Sequence, residues 1–170
     1  MITWLIGMSG AGKTTIAERL YGRLKPDCRH LLLLDGDTFR DVLRNDVDHT
    51  IEGRRKNAER ISNLCRAMDG QGIHVICAVL SIFPEWLAWN RANFSSYYEV
   101  FLDIPLPTLE ARDTKGLYAG GRSGQIPNVV GLHIPFPRPC NSDLVLGEAE
   151  QALGIDACVD AILAQMPKLD

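Results

Sequence analysis

Apolar runs of strand length alternate with stretches whose apolar positions recur every three to four residues, from one end of the chain to the other. Thr3-Trp4-Leu5-Ile6 is apolar at nearly every position, as expected of a strand covered on both faces, and a helix is predicted from Lys13 to about Leu24. Leu31 to Leu34 is a second unbroken apolar run, read as a buried parallel strand that delivers Asp35-Gly36-Asp37 at its carboxyl end, with a short helix predicted from Thr38. Ile61, Leu64, Cys65 and Met68 share one face of a helix predicted from about Glu52 to Met68 and ended by Gly70 and Gly72. His74 to Ala78 predicts a third strand, Pro84 opens a helix reaching about Phe94, Tyr98 to Leu102 predicts a fourth strand ended by Asp103, and Pro107 to Asp113 a short helix. From Thr114 to Pro139 the rhythm breaks: five glycines and four prolines exclude a core element and predict a mobile lid. Leu144-Val145-Leu146 supplies a last short strand, and Ile155 to Met166 a closing helix with Ile155, Cys158, Ala161, Ile162 and Met166 on one side. Alternation of this kind predicts one α/β domain over residues 1–170, a doubly wound parallel sheet flanked by helices, with ligands at the carboxyl ends of the strands.

Composition narrows the partners. The 170 residues, 46% of them hydrophobic, suffice for one core. A net charge of -3 offers no general attraction to nucleic acid or to an anionic membrane, so anion binding must come from local clusters. No apolar run approaches the ~20 residues needed to span a bilayer. The first strand follows Met1 almost at once, which predicts a cytoplasmic protein without a signal peptide. Five cysteines without CxxC spacing and four scattered histidines argue against a disulfide framework or a zinc cluster; Cys65, Cys77 and Cys158 are expected to fill the core.

The chemistry enters at Gly7 to Thr15, GMSGAGKTT, which satisfies GxxxxGK[ST] between a strand and a helix and makes the predicted fold that of a P-loop kinase. Its glycines allow backbone N–H groups to surround phosphate, so Gly7, Ser9, Gly10, Ala11, Gly12, Lys13, Thr14 and Thr15 are assigned to ATP. Within the loop, Lys13 is expected to reach the β/γ oxygens and the Thr14 hydroxyl to ligate Mg²⁺. Asp35 and Asp37 leave the second strand at the same sheet edge; Asp35 is the candidate base and second Mg²⁺ contact, whereas Asp37 is expected to touch substrate or orient Arg40. An ordinary DG turn capping a helix through Asp37 is the structural alternative. Arg40, Arg54, Arg55, Lys56 and Arg60 concentrate positive charge in an acidic chain and suggest an anionic acceptor. Arg54 and Asn57 share a helix face suited to gripping phosphate-like oxygens, while Arg55 and Lys56 read as a solvated face. Arg112 to Tyr118, RDTKGLY, opens the lid with cations aimed at phosphates; Arg112 is assigned to ATP, and Lys115, Gly116 and Leu117 to the acceptor.

Taken together, GMSGAGKTT, LDGDTFR (Leu34 to Arg40), the Arg54/Asn57/Arg60 series, RDTKGLY and DLVL (Asp143 to Leu146) resemble the adenylylsulfate (APS) kinase family over nearly the whole chain. The resemblance implies transfer of the ATP γ-phosphate to a ribose 3′-hydroxyl, with Asp35 as base and metal contact and with Arg40, Arg54, Asn57 and Lys115 on the acceptor nucleotide. It also implies that two phenylalanines sandwich the acceptor adenine; here His49 and Val129 occupy their places, and Ser81-Ile82-Phe83-Pro84 replaces the family's Ser-Pro-Tyr-Arg. His49, Ser81 and Val129 are therefore expected in the acceptor pocket, with Phe39 or Phe136 available to replace a lost ring. Relatives that phosphorylate cytidine diphosphoramidate keep the alternative of a pyrimidine acceptor open. A small-metabolite kinase of the shikimate or gluconate type would explain GKT and Asp35 but not KGLY, and a non-catalytic nucleotide switch would have no need of Asp35. A homodimer remains one expected assembly, although the segment that commonly precedes strand one in the family is missing.

Overall fold

The computed structural model describes residues 1–169. Five parallel strands form one sheet in the order β2-β3-β1-β4-β5: β1 Ile2–Ile6, β2 Leu31–Asp35, β3 His74–Val79, β4 Tyr97–Leu102 and β5 Leu144–Leu146. Helices α1 Lys13–Leu24, α3 Ile51–Asp69, α4 Pro84–Asn93 and α8 Ile155–Gln165 cover its two faces, while α2 Gly36–Val42, α5 Leu106–Arg112, α6 Leu117–Arg122 and α7 Glu148–Ala152 are short. Side-chain alternation along the central strand divides the core. Ile2, Trp4 and Ile6 point toward α3 and α4 with Ile61, Cys65 and Phe94, whereas Leu5 joins Ile16, Leu20, Val159 and Ile162 of α1 and α8. Because β1 is paired along both edges by β3 and β4 and helices pack on both its faces, all five of its residues are buried. Cys65, Cys77 and Cys158 are buried, free thiols.

Several boundaries depart from the sequence expectation for identifiable reasons. β2 is an edge strand rather than a fully buried one; Leu32 is 36% exposed despite the unbroken leucine run. α2 starts at Gly36, because Asp35 itself is the N-cap and accepts from the backbone N–H groups of Asp37 and Thr38. In α8 the buried residues are Cys158, Val159 and Ile162, and Ile155 is exposed at the first turn.

The largest correction concerns residues 114–139. They contain α6, and they supply core: Tyr118, Val129, Val130 and Ile134 are all buried. Here glycine serves close packing. A Cβ at Gly121 would lie 2.9 Å from Leu132 Cδ1 and 3.0 Å from Val129 Cγ2, so the hydrogen lets the following segment fold back onto α6. The Tyr118 hydroxyl then donates to the Ser9 carbonyl at 2.9 Å, tying α6 to the phosphate loop.

Candidate active site

A cavity of about 590 Å³ opens at the carboxyl ends of β1, β2 and β3, where a doubly wound sheet leaves room between diverging loops. Ser9, Gly10 and Gly12–Thr15 line one end. The loop ends at Gly12, whose φ of 88° is left-handed and caps α1 without a side chain, so its N–H groups face the cavity unobstructed by a Cβ. Gly7 and Ala11 lie beneath: a Cβ at Gly7 would stand 3.0 Å from the Leu102 carbonyl oxygen, and Ala11 is fully buried.

Lys13 donates to the Met8 carbonyl at 2.9 Å, which folds its side chain back along the loop. Burial of the ammonium lowers its pKa to about 8, against the opposing fields of Asp35 and Asp37. Asp35 uses both carboxylate oxygens. Oδ1 accepts from Asp37 N at 2.9 Å and Thr38 N at 3.3 Å, while Oδ2 accepts from the Thr14 hydroxyl at 2.7 Å. The cap therefore runs through Asp35, not Asp37, and it holds the carboxylate against the first turn of α1. Asp37 instead accepts from Lys115 Nζ at 2.9 Å; with both side chains mostly in water, that pair opens easily.

At the other end, Arg40 is buried and donates to the carbonyls of Val47 and Asp48 at 3.1 and 3.4 Å. Arg54 reaches the His49 carbonyl at 2.9 Å and the Asn128 carbonyl at 3.1 Å. Neither guanidinium has a carboxylate at ion-pair distance among the described residues, whereas Arg55 is paired with Glu85 and Arg60 forks Asp46. Desolvation lowers the pKa of both Arg40 and Arg54, against the fields of Asp37, Asp48 and Asp46 on Arg40 and of Asp37 on Arg54, and the neighbouring Arg40 lowers that of Arg54 further. Asn57 is buried on the same wall, and its Oδ1 has no hydrogen-bond partner. Thr50 caps α3 through Gly53 N at 3.1 Å, and this sets the helix so that Arg54 and Asn57 face inward.

The expected residues separate as follows. His49, Ser81, Lys115 and Leu117 line the cavity with the two arginines and Asn57. Val129 does not: it is 1% exposed, packed into the core beside Gly121, and its neighbours Pro127, Asn128 and Val130 form the wall instead. Gly116, a left-handed residue at the start of α6, and Arg112 also lie outside the lining. Neither proposed substitute ring is present, since Phe39 is a core residue and Phe136 stacks on Phe101 at 5.9 Å. The aromatic groups that do reach the cavity are Trp4, His49 and Phe83, the last carrying the Arg55 guanidinium 4.5 Å above its ring.

The family model described as adenylylsulphate kinase matches residues 1–147. This chain belongs to the adenylylsulphate kinase family. It is 38% identical to an adenylyl-sulfate kinase of Paraburkholderia xenovorans over 97% of its length and 92% of that protein. It is also 36% identical to a cytidine diphosphoramidate kinase of Campylobacter jejuni, over 87% of its own length and 86% of the other. Among solved structures, the Mycobacterium tuberculosis APS kinase in complex with AMPPNP and APS superposes on 96% of this chain, covering 95% of that chain, with a TM-score of 0.84 and 30% identity. A shikimate kinase of Aquifex aeolicus reaches a TM-score of 0.57 at 15% identity, a likeness of fold alone. The chain is thus a kinase of this family, and the small-metabolite alternative has no more than shared architecture behind it.

Two residues that support this cavity were not legible in the sequence. Gln151, on the unforeseen α7, donates to the Ala11 carbonyl at 2.8 Å and accepts from Arg112 at 3.0 Å, so it bridges the phosphate loop to the arginine assigned to ATP. No spacing rule points to it across 140 positions. Trp4 donates to the Ser81 hydroxyl at 2.9 Å across 77 positions, and its strand context made it read as plain core.

Proposed function

We propose that this kinase transfers the γ-phosphate of ATP to the ribose 3′-hydroxyl of an anionic nucleotide, with adenylylsulfate as the acceptor. One observation carries the anionic acceptor: Arg40 and Arg54, both partly desolvated, face the cavity with backbone carbonyls but no carboxylate as partners. An acceptor phosphate or sulfate supplies the missing charge.

The chain's own groups divide the reaction. Phosphate-loop N–H groups and Lys13 hold the β- and γ-phosphates, Asp35 Oδ2 accepts the proton of the attacking hydroxyl, and the new O–P bond forms as the bond to the ADP oxygen breaks. Thr14 and Asp35 also suit Mg²⁺. Their oxygens meet at 2.7 Å beside the loop, and no cluster of three or more His, Cys, Asp or Glu exists among the described residues to hold a more fully protein-ligated ion. When bound there, the ion would supply positive charge that offsets the negative charge of the phosphates. Lys115 exchanges Asp37 for a phosphate oxygen as substrates enter.

Cytidine diphosphoramidate is the second reading, favoured by the Campylobacter relative and by a base wall without a facing pair of phenylalanines: His49 stands at the rim and Val129 lies in the core. An acceptor panel separates the two. ADP release from Mg-ATP is measured with adenylylsulfate, cytidine diphosphoramidate, shikimate and no acceptor; adenylylsulfate should give the highest kcat/KM. Preference for the cytidine compound transfers the assignment to the second reading, and the same slow ADP release in every arm rejects a nucleotide 3′-kinase.

A further inference from the structure

Trp4 sits in the middle of the central strand, opposite Cys77 on one neighbour and Glu99 on the other, and is 3% exposed. Its ring packs at 6.4 Å from Phe94 and 6.5 Å from Tyr97. A buried indole N–H needs an acceptor, and here it is the Ser81 hydroxyl at 2.9 Å. Ser81 lies just past the end of β3 with φ of 48°, a left-handed conformation that a serine adopts only where its surroundings hold it. The two residues that follow, Ile82 and Phe83, are buried against Val130 and Ile134 and form the cavity wall beside Ala58 and Arg54. The direction of that wall is set by the turn at Ser81.

We propose that Trp4 is a positioning residue for the acceptor: its indole N–H holds Ser81 in the left-handed turn that places Ile82 and Phe83 against the acceptor. This rests on the proposed 3′-kinase activity for its kinetic reading, though not for its structural one. The hydrogen bond also links the strand that leads into the phosphate loop to the opposite end of the site, since Trp4 lies on β1, which ends at Ile6 immediately before Gly7. Trp4 is only 3% exposed where it reaches the cavity, and its one polar group, the indole N–H, is already engaged by Ser81.

Trp4→Phe keeps an aromatic ring but removes the N–H together with part of the buried ring volume, which Ser81→Ala leaves in place. The acceptor KM should rise roughly three- to tenfold, the worth of one neutral hydrogen bond, while kcat and the ATP KM change by less than about twofold. Ser81→Ala should match it, and the double variant should be no worse than either single one, because both remove the same bond. Ser81→Gly is the decisive arm. Glycine adopts positive φ without help, so it should retain more acceptor affinity than Ser81→Ala; equal loss in both would show the hydroxyl touching the acceptor directly and would overturn the proposal. An unchanged acceptor KM in Trp4→Phe, or acceptor and ATP KM rising together with a drop in Tm, overturns it as well. Independently of any acceptor, the Trp4 indole proton should exchange slowly in the wild type and faster in Ser81→Ala by NMR, and an indole already exposed to exchange in the wild type removes the bond on which the inference stands. Failure of every acceptor to turn over in the wild type would remove the proposed function and leave this exchange test in force.

Discussion

Asp35 offers each carboxylate oxygen to a different duty, one capping α2 and the other facing Thr14 beside the phosphate loop. Asp35→Asn keeps a capping oxygen, so the fold and ATP binding should survive while proton acceptance is lost. Turnover is expected to fall about 10²- to 10⁴-fold, the usual worth of a general base. The Mg-ATP dissociation constant should stay within about threefold, by calorimetry; wild-type turnover in this variant would reject Asp35 as base. His49 gives a pH signature. Partial desolvation first, then the fields of Arg40 and Arg54, lower its pKa below the ordinary 6.5, against the weaker pull of Asp37 and Asp48. A depressed folded value means that folding favours the neutral ring: its contribution to stability is complete above pH 6.5 and is lost as pH falls through the folded value. An anionic acceptor between the arginines cancels their field and raises the His49 pKa, so acceptor binding should take up protons below pH 6.5 and tighten as pH falls there. Calorimetry in buffers of unequal ionisation enthalpy reads the uptake, and His49→Asn should abolish it. Identical proton uptake in that variant would place the titrating group elsewhere.

Among the elements, the segment from α6 to Ile134 decides how the acceptor end is built. The family resemblance of the sequence leads to the expectation that Val129 stands in the place of a base-stacking phenylalanine, yet its side chain fills the core against Gly121 and Leu132. Val129→Phe therefore adds volume where a hypothetical Gly121 Cβ already has no room. It should destabilise by about 1–3 kcal/mol in denaturant melts through overpacking, and it should not improve adenylylsulfate affinity; a gain in affinity with unchanged stability would mean that the residue turns into the cavity. Position 49 is different because His49 stands at the rim, where a larger ring meets no packed core. The glycines of this segment had pointed to mobility. Their composition does not reveal that part of this segment packs closely on α6, or that Tyr118 is tied to Ser9.

Across the whole molecule, the strand order brings the phosphate loop, the Asp35 edge and the Ser81 turn to one end of three adjacent strands. Much of this was readable. Strands and helices declared themselves because period 2 and period 3.6 patterns are local consequences of burial. The donor side declared itself because a phosphate loop needs its glycines, Lys13 and Thr14 within a few residues of one another. Arg40, Arg54 and Asn57 could also be picked out, since α2 and the first turns of α3 carry them close together in the chain. What escaped depended on distance along the chain. That β2 lies at the edge, that Val129 faces inward, and that Gln151 and Trp4 support opposite ends of the site are outcomes of packing between segments separated by up to 140 positions. The sequence by itself determined the fold class, the nucleotide loop and the charge at the acceptor end, because each rests on short-range spacing or composition. The tertiary structure alone decided which side chains share the cavity and which hold them in place, because a side chain's direction is settled by the neighbours it packs against and not by those it follows in the chain.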